Sequence, residues 1–499
     1  MTITAILKKH FQYDEFRLGQ EEVITSVLSG QNTLAMLPTG TGKSLCYQLP
    51  GYLLEGKVLI VSPLLSLMQD QVEQMKMKGE KRVIALNSFL TPLQRKTALR
   101  NIGYYKFLFI SPEMLRFEPI MNVLQQQQID LFVVDEAHCI SQWGYDFRPD
   151  YLKLGEIRTN LRNPVTLALT ATATAEVRRD IKASLELDQC QEIIYSVDRP
   201  NIAISVEKVN DQSEKLERIQ QLVDQLTGPG IIYFSSKRLA EQVATYLQQI
   251  RGVNVMAYHG GMEQEQRILI QQQFLLGQLD VICATSAFGM GVNKEDIRFV
   301  IHYHMPLQLE SYLQEIGRAG RDGKNSMAIL LYSPGDEAMA FHLAETELPS
   351  IEQINYLTAV TNGVIESVIE ANKAWKDYGG FTDIQWRIVV DFLQMASNQQ
   401  LQGPFQALKI FVENRLAIKR DNITSMTRFI NTDTCRRDEI LTYFGEGRSN
   451  NEAVRNCCDQ CGITYEDFNS ITTLSETRKD SQTRDFDWKQ YLSNFLLNE

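Results

Sequence analysis

The stretch Thr33-Leu34-Ala35-Met36, followed by Leu37-Pro38-Thr39-Gly40-Thr41-Gly42-Lys43-Ser44, constrains this chain more than any other. The first four residues read as a buried strand. Leu45-Cys46-Tyr47-Gln48-Leu49 reads as the first turns of a helix. A strand, a glycine-rich loop, a lysine and a hydroxyl residue opening a helix form an anion cradle, because glycines let backbone N–H groups turn onto phosphate oxygens. The loop is Thr39, Gly40, Thr41 and Gly42. Lys43 would reach the β- and γ-phosphates, and Ser44 would offer its hydroxyl to Mg²⁺. Leu37 stands where the general pattern has glycine, so only the second half of the pattern matches.

Such a loop needs a parallel sheet behind it, and the chain supplies the strands. Val58–Val61, Phe107–Ile110, Leu131–Val134 and Thr166–Leu169 are short and apolar throughout, as strands covered on both faces are. A second alternation begins near Gly230, with strands expected at Ile231–Phe234, Val255–Tyr258, Val281–Ala284, Phe299–His302 and Ala328–Leu331. The fold class expected is therefore α/β, with two parallel-sheet domains at 1–205 and 206–335, joined near Asp198-Arg199-Pro200-Asn201. Helical periodicity dominates 336–434, read as a helical or winged-helix-like insert. A cysteine module at 435–465 and a polar tail at 466–499, ending in an amphipathic stretch from Trp488 to Leu497, complete the chain. Its 499 residues are ample for several full cores.

Asp135-Glu136-Ala137-His138 follows the strand Leu131–Val134, where an open α/β sheet places its ligand-handling groups. Asp135 would hold Mg²⁺ through its water shell and Glu136 would polarise an attacking water, since phosphoryl transfer is accelerated mainly by positioning and charge neutralisation. His138 would couple this site to a neighbour. Far downstream, Arg318 and Arg321 lie three residues apart in Gln314-Glu315-Ile316-Gly317-Arg318-Ala319-Gly320-Arg321. Either would serve as a finger on the γ-phosphate, and the sequence does not choose between them.

A net charge of −11 argues against a nucleic-acid partner taken alone, but leaves room for local basic clefts, so motifs must decide. No apolar run approaches the roughly 20 residues that span a bilayer. Lys8, Lys9 and His10 follow the apolar N-terminal residues, the reverse of a signal peptide. A cytoplasmic protein without a membrane partner is expected. Of eight cysteines, Cys435, Cys457, Cys458 and Cys461 cluster, which points to metal rather than disulfides. Four thiolates in tetrahedral array would close a structural zinc site. Adjacent Cys457 and Cys458 need a turn to share one ion; the alternative is Cys435, Cys458 and Cys461 with another ligand.

These motifs, in this order, resemble those of superfamily 2 helicases and, more narrowly, of RecQ-family DNA helicases. The resemblance runs from about Tyr13 to Gly323 and returns from Cys435 to Cys461. It implies two RecA-like domains facing each other across an ATP cleft. It implies an adenine site at Tyr13, Arg17 and Gln20, although Leu18 replaces the usual proline. Cys139 to Pro149 resembles the family's aromatic-rich loop, in which Trp143, Phe147 and Arg148 would stack on unpaired bases, each stack worth roughly 1–3 kcal/mol. Ser62, Thr170 and Thr172 sit in motifs that grip the nucleic-acid backbone or couple it to hydrolysis. Thr285 to Lys294 matches the family's motif V. Two departures stand out. The usual zinc spacing has cysteine where Arg455 stands, and the residues after Cys461 are too few for the family's winged-helix and HRDC domains.

The activity implied is ATP-dependent translocation on single-stranded DNA with 3′-to-5′ polarity and duplex unwinding, in recombination or repair. Single-stranded and forked DNA, ATP with Mg²⁺, Zn²⁺, and a single-strand-binding protein or other repair factors are the implied partners. The rival readings are a DNA-stimulated ATPase that separates strands poorly, an RNA helicase, and a non-catalytic DNA-binding scaffold.

Overall fold

The computed structural model describes residues 2–63, 65–141, 148–249, 252–289, 294–365, 368, 374–398, 403–447 and 454–468. Seven strands form the first sheet: β1 (Thr33–Met36), β2 (Lys57–Val61), β3 (Val83–Leu86), β4 (Phe107–Ile110), β5 (Ile129–Val134), β6 (Val165–Thr170) and β7 (Gln191–Ile194). Their order is β3-β4-β2-β5-β6-β1-β7, and every pair is parallel. The loops after Met36, Val61, Val134 and Thr170 therefore leave the sheet at one end, and β1 has β6 as its neighbour. This brings the glycine-rich loop, Asp135-Glu136 and Thr170 to a common edge.

Six strands form the second sheet: β8 (Ile202–Lys208), β9 (Gly230–Tyr233), β10 (Val255–Tyr258), β11 (Val281–Ala284), β12 (Phe299–His302) and β13 (Ser326–Tyr332), in the order β10-β11-β9-β12-β13-β8, again all parallel. β8 pairs with β13 from Ser326↔Ile202 onward. The change from one sheet to the other thus falls between Ile194 and Ile202, just ahead of the 205/206 boundary read from sequence.

From Asp336 to Asn431 the described residues are mainly helical. The helices are Asp336–Glu347, Ile351–Val360, Ala374–Tyr378, Asp383–Asn398 and Pro404–Asn431. The last has 28 residues, about 42 Å at the α-helical rise. Its first half packs in the helical unit through Phe405, Leu408 and Val412. Its second half, with Ile423, Met426, Phe429 and Ile430, joins the core shared by the two sheets. There Phe429 meets the Tyr312 ring at 5.4 Å. The insert thus packs into the same core that Ile440, Leu441, Cys457 and Cys458 of the cysteine module join. A short helix, Arg436–Tyr443, starts directly after Cys435.

The cysteine turn then seals an edge. β8 is the outer strand of its sheet, and a bridge pairs Ile204 with Cys458. Ile204 donates to the Cys457 carbonyl at 3.2 Å, and Asp459 donates to the Ile204 carbonyl at 3.0 Å. Covering an edge in this way removes a template for unwanted strand pairing. Among the described residues no helix is long and apolar enough to cross a membrane.

Candidate nucleotide cleft and cysteine centre

The glycine-rich loop turns through positive φ at Gly40 (+88°) and Gly42 (+73°), conformations that side chains with a Cβ resist. Leu37 pins its start by donating to the Thr170 carbonyl at 3.1 Å. Helix Leu45–Gly51 starts at Ser44, so Lys43 and Ser44 stand at its mouth. Gln20 and Arg17 both serve this loop. Gln20 Nε2 donates to the Thr41 and Gly42 carbonyls at 2.7 and 3.1 Å, while its Oε1 accepts from the Arg17 backbone at 2.9 Å. Arg17 donates to the Gly40 carbonyl at 2.9 Å and pairs with Glu295 of the second domain at 2.8 Å. The Gln20 amide thus braces the phosphate loop. Tyr13 is exposed, at 48%.

Asp135 and Glu136 end β5. Burial, reinforced by Glu136, pushes the Asp135 carboxyl up to about 7, while Lys43 pulls it down. Lys43 and Asp135 therefore share one site. The Asp135 carboxylate and the Ser44 hydroxyl offer hard oxygen donors suited to Mg²⁺, with Lys43 as a neighbouring cation, and a divalent ion would return Asp135 to its charged form. Glu136 takes a left-handed φ of +49°. That strain, about 1–3 kcal/mol for a non-glycine residue, is of the kind found at functional sites. His138 is buried. Its Nδ1 lies 3.0 Å from Thr170 Oγ1 and 3.5 Å from Glu136 Oε2. Thr170 Oγ1 donates to the Thr172 carbonyl at 3.2 Å. A polar path thus runs from Glu136 through His138 to Thr170 and Thr172.

The hydroxyls of Ser62, Ser111 and Thr172 are buried at strand ends without hydrogen-bond partners. Arg148 donates to the Pro63 carbonyl at 2.7 Å and its backbone N–H to Cys139 at 3.0 Å. It ties the end of the aromatic loop to the segment after β2. Trp143 and Phe147 lie outside the described residues.

The two motif arginines diverge. Arg318 is buried and donates to the Gly289 carbonyl of its own domain. Arg321 crosses the cleft: a Cβ added to Gly40 would lie 2.7 Å from its Cγ. Burial first, then the charges of Arg318 and Arg199, bring the Arg321 guanidinium down to about 9. A cluster of cations that repel one another over a glycine loop is a preformed receptor for a polyanion. Thr39 Oγ1 donates across the cleft to the Gly317 carbonyl at 3.1 Å.

The sulfur atoms of Cys435, Cys457, Cys458 and Cys461 lie within 4.8 Å of one another. Cys435 Sγ is 3.6 Å from Cys457 Sγ and 3.8 Å from Cys458 Sγ. Tetrahedral zinc with Zn–S bonds of about 2.3 Å requires sulfur separations of about 3.8 Å, so all four thiols fit one ion. The backbone turns on both sides of the pair: Asn456 before it has φ +53°, and after it Cys461 donates to the Cys458 carbonyl at 3.0 Å.

Sequence reasoning assigned no role to Arg199 or Arg437. Arg199 binds backbone carbonyls on both sides of the cleft, and Arg437 bonds Cys457 Sγ at 3.4 Å. The signal available was an arginine within the Asp-Arg-Pro-Asn join.

Three family models match in tandem: DEAD/DEAH box helicase over residues 17–181, helicase conserved C-terminal domain over 214–323, and RecQ zinc-binding over 399–462. The last begins ahead of the cysteines and takes in the 28-residue helix. Among curated relatives, the chain is 46% identical over 458 residues to the probable ATP-dependent DNA helicase RecS of Bacillus subtilis, covering 92% of this chain and 91% of that one. It is 34% identical to the ATP-dependent DNA helicase RecQ of Synechocystis, covering 91% and 96%. It is 41% identical to that of Haemophilus influenzae, covering 70% and 57%. Solved structures share the fold: Mycobacterium smegmatis helicase Lhr bound to single-stranded DNA and AMP-PNP has a TM-score of 0.55 at 21% identity, covering 78% of this chain and 57% of that one. Mss116p bound to single-stranded RNA and AMP-PNP has 0.56 at 17%, covering 85% and 94%. With two helicase domains, a four-thiol centre and full-length relatives at this identity, the chain belongs to the RecQ family of ATP-dependent DNA helicases.

Proposed function

We propose that this helicase moves 3′-to-5′ along single-stranded DNA by opening and closing the cleft between its two sheets, and that it acts on forked DNA in recombination or repair in the cytoplasm. The observation that carries the reading is the reach of Arg321 across the cleft onto the Gly40 loop. A guanidinium there completes an ATP site only when the domains close. Lys43 and the loop N–H groups hold the phosphates. Glu136 orients the attacking water, and Ser44 and Asp135 would hold Mg²⁺, which supplies charge neutralisation to the transferring phosphoryl group. Arg321 is the finger; Arg318, held by Gly289, shapes the loop that precedes it. Tyr13 flanks the base. The path from Glu136 through His138 to Thr170 and Thr172 carries strand occupancy to the water-positioning residue, with Trp143, Phe147 and Arg148 as the stacking platform and Ser62 on the DNA backbone. A single-strand-binding protein would deliver the strand.

The test is ATP turnover with single-stranded DNA, with RNA and with neither. Strong stimulation by DNA alone, lost in Lys43→Ala, supports the reading. Equal or greater stimulation by RNA, or unchanged turnover in Lys43→Ala, refutes it.

A further inference from the structure

The join between the two sheets is more than a tether. The Arg199 side chain lies inside the cleft and gathers backbone carbonyls from both domains. Its Nη1 donates to Thr39 of the phosphate loop at 3.0 Å and to Gly317 at 3.2 Å; its Nη2 donates to Ala319 at 3.1 Å and Gly320 at 2.6 Å. The last three carbonyls belong to the turn that carries Arg318 and Arg321. Asn201, two residues on, binds the same turn through Gly320 and Lys324, both at 2.9 Å. Separating the domains would break the Thr39 bond, while the bonds to Ala319 and Gly320 travel with the second domain.

The backbone of this segment is itself held from the cysteine module. Arg437 is buried and pairs with the Asp198 carboxylate. It donates to the Arg199 carbonyl at 3.1 Å and the Ile202 carbonyl at 2.7 Å, and its Nε bonds Cys457 Sγ at 3.4 Å. Glu446 adds a second tie by accepting from the Val197 backbone at 3.3 Å. Phosphate loop, join, motif turn and cysteine helix converge around a cavity of about 30 Å³ lined by Thr39, Thr172, Arg199, Gly317, Arg437 and Leu441.

We propose that Arg199 is a positioning residue for ATP hydrolysis, fastening the phosphate loop to the turn that bears Arg321 when the cleft closes, and that Arg437 sets its place from the cysteine module. The inference rests on the ATP-site reading above. A planar guanidinium with five N–H donors can meet four carbonyls in two directions; a lysine ammonium is a point charge and cannot. Ground-state phosphate binding is left to Lys43 and the loop, so losing Arg199 should weaken turnover far more than nucleotide affinity. The cysteine module would then act on ATP chemistry as well as on architecture.

The experiment measures DNA-stimulated ATP turnover of the full chain against ATP concentration for Arg199→Ala, Arg199→Lys and Asp198→Asn. Arg199→Ala and Arg199→Lys are expected to lose more than tenfold in kcat, with KM for ATP shifted less than threefold and an unchanged melting temperature. Millimolar guanidinium should restore part of the Arg199→Ala rate and none of the Lys43→Ala rate. Asp198→Asn, which removes the carboxylate partner of Arg437 and touches no cysteine, should lose at least threefold in kcat at full zinc content by atomic absorption. The lysine variant decides the matter if the alanine variant folds poorly. Wild-type kcat in Arg199→Lys overturns the positioning role. Wild-type kcat in Asp198→Asn overturns the link to the cysteine module. If Lys43→Ala also turns over normally, the ATP-site reading is what has failed.

Discussion

Gly317→Ala probes cleft closure. Gly317 has φ −63° and ψ −4°, values that alanine adopts without strain. A Cβ there would also lie 2.9 Å from the Leu313 carbonyl of its own domain, which asks for a small local shift in the second domain. Across the cleft the position is another matter. A Cβ there would meet Thr39 Oγ1 at 2.0 Å and Thr39 Cβ at 3.2 Å, where ordinary contact begins at 3.4 Å. Relief requires the two domains to part by about 1 Å, and a misplacement of that size costs on the order of 100-fold in rate when reacting groups come from both sides. The Thr39–Gly317 hydrogen bond, worth about 1 kcal/mol, is lost as well. DNA-stimulated kcat should therefore fall on the order of 100-fold, with the melting temperature lowered by no more than a few degrees and binding of a fluorescent ADP analogue nearly intact. Thr39→Ala in the same chain removes the 2.0 Å contact and leaves the 3.2 Å Cβ approach across the cleft and the 2.9 Å approach to the Leu313 carbonyl, so the double variant should recover activity relative to Gly317→Ala alone, a coupling that the four-variant cycle measures. Wild-type kcat in Gly317→Ala, or no recovery in the double variant, would refute the argument that hydrolysis needs this approach.

Other expectations follow from the same geometry. Lys215 and Asp336 form a fully buried pair at 2.5 Å, with Lys215 also donating to the Tyr303 carbonyl at 2.7 Å. Asp336→Asn leaves that ammonium without its anion and should cost about 3–5 kcal/mol, lowering the calorimetric transition of the second domain by roughly 10 °C; a shift under about 3 °C would contradict the burial argument. Burial pushes the Asp70 carboxyl up to about 6, where Gln271 of the second domain reaches it at 3.5 Å. A raised carboxyl destabilises the native state as pH climbs from the unfolded value near 3.8 through 6. Asp70→Asn should therefore raise the melting temperature at pH 8 and leave it unchanged near pH 4; equal shifts at both would exclude the titration. The four-thiol centre should hold one zinc per chain by atomic absorption, and Cys461→Ser should reduce that occupancy; full zinc in the variant would mean that Cys461 is not a ligand.

Parallel sheets announce themselves because strands buried on both faces must be apolar at every position. β4, β5 and β12 were legible for that reason. β7 was not: it is an edge strand in which only Ile193 is buried, and Gln191-Glu192 reads as surface. β8 was hidden by lying across the apparent boundary, although its first five residues are buried. The nucleotide loop and Asp135-Glu136 were legible because their chemistry needs fixed residue types at fixed spacing. Arg199 was not, since what it recognises is backbone carbonyls, which carry no sequence signal. The missing cysteine at Arg455 suggested an irregular centre, yet the four sulfurs lie within 4.8 Å of one another.

Strand displacement from a short duplex bearing a single-stranded tail tests the central claim most directly. The account requires ATP-dependent displacement from the substrate with a 3′ tail, little from that with a 5′ tail, and none in Lys43→Ala. Rapid ATP turnover without displacement from either substrate, or displacement that survives in Lys43→Ala, would contradict it.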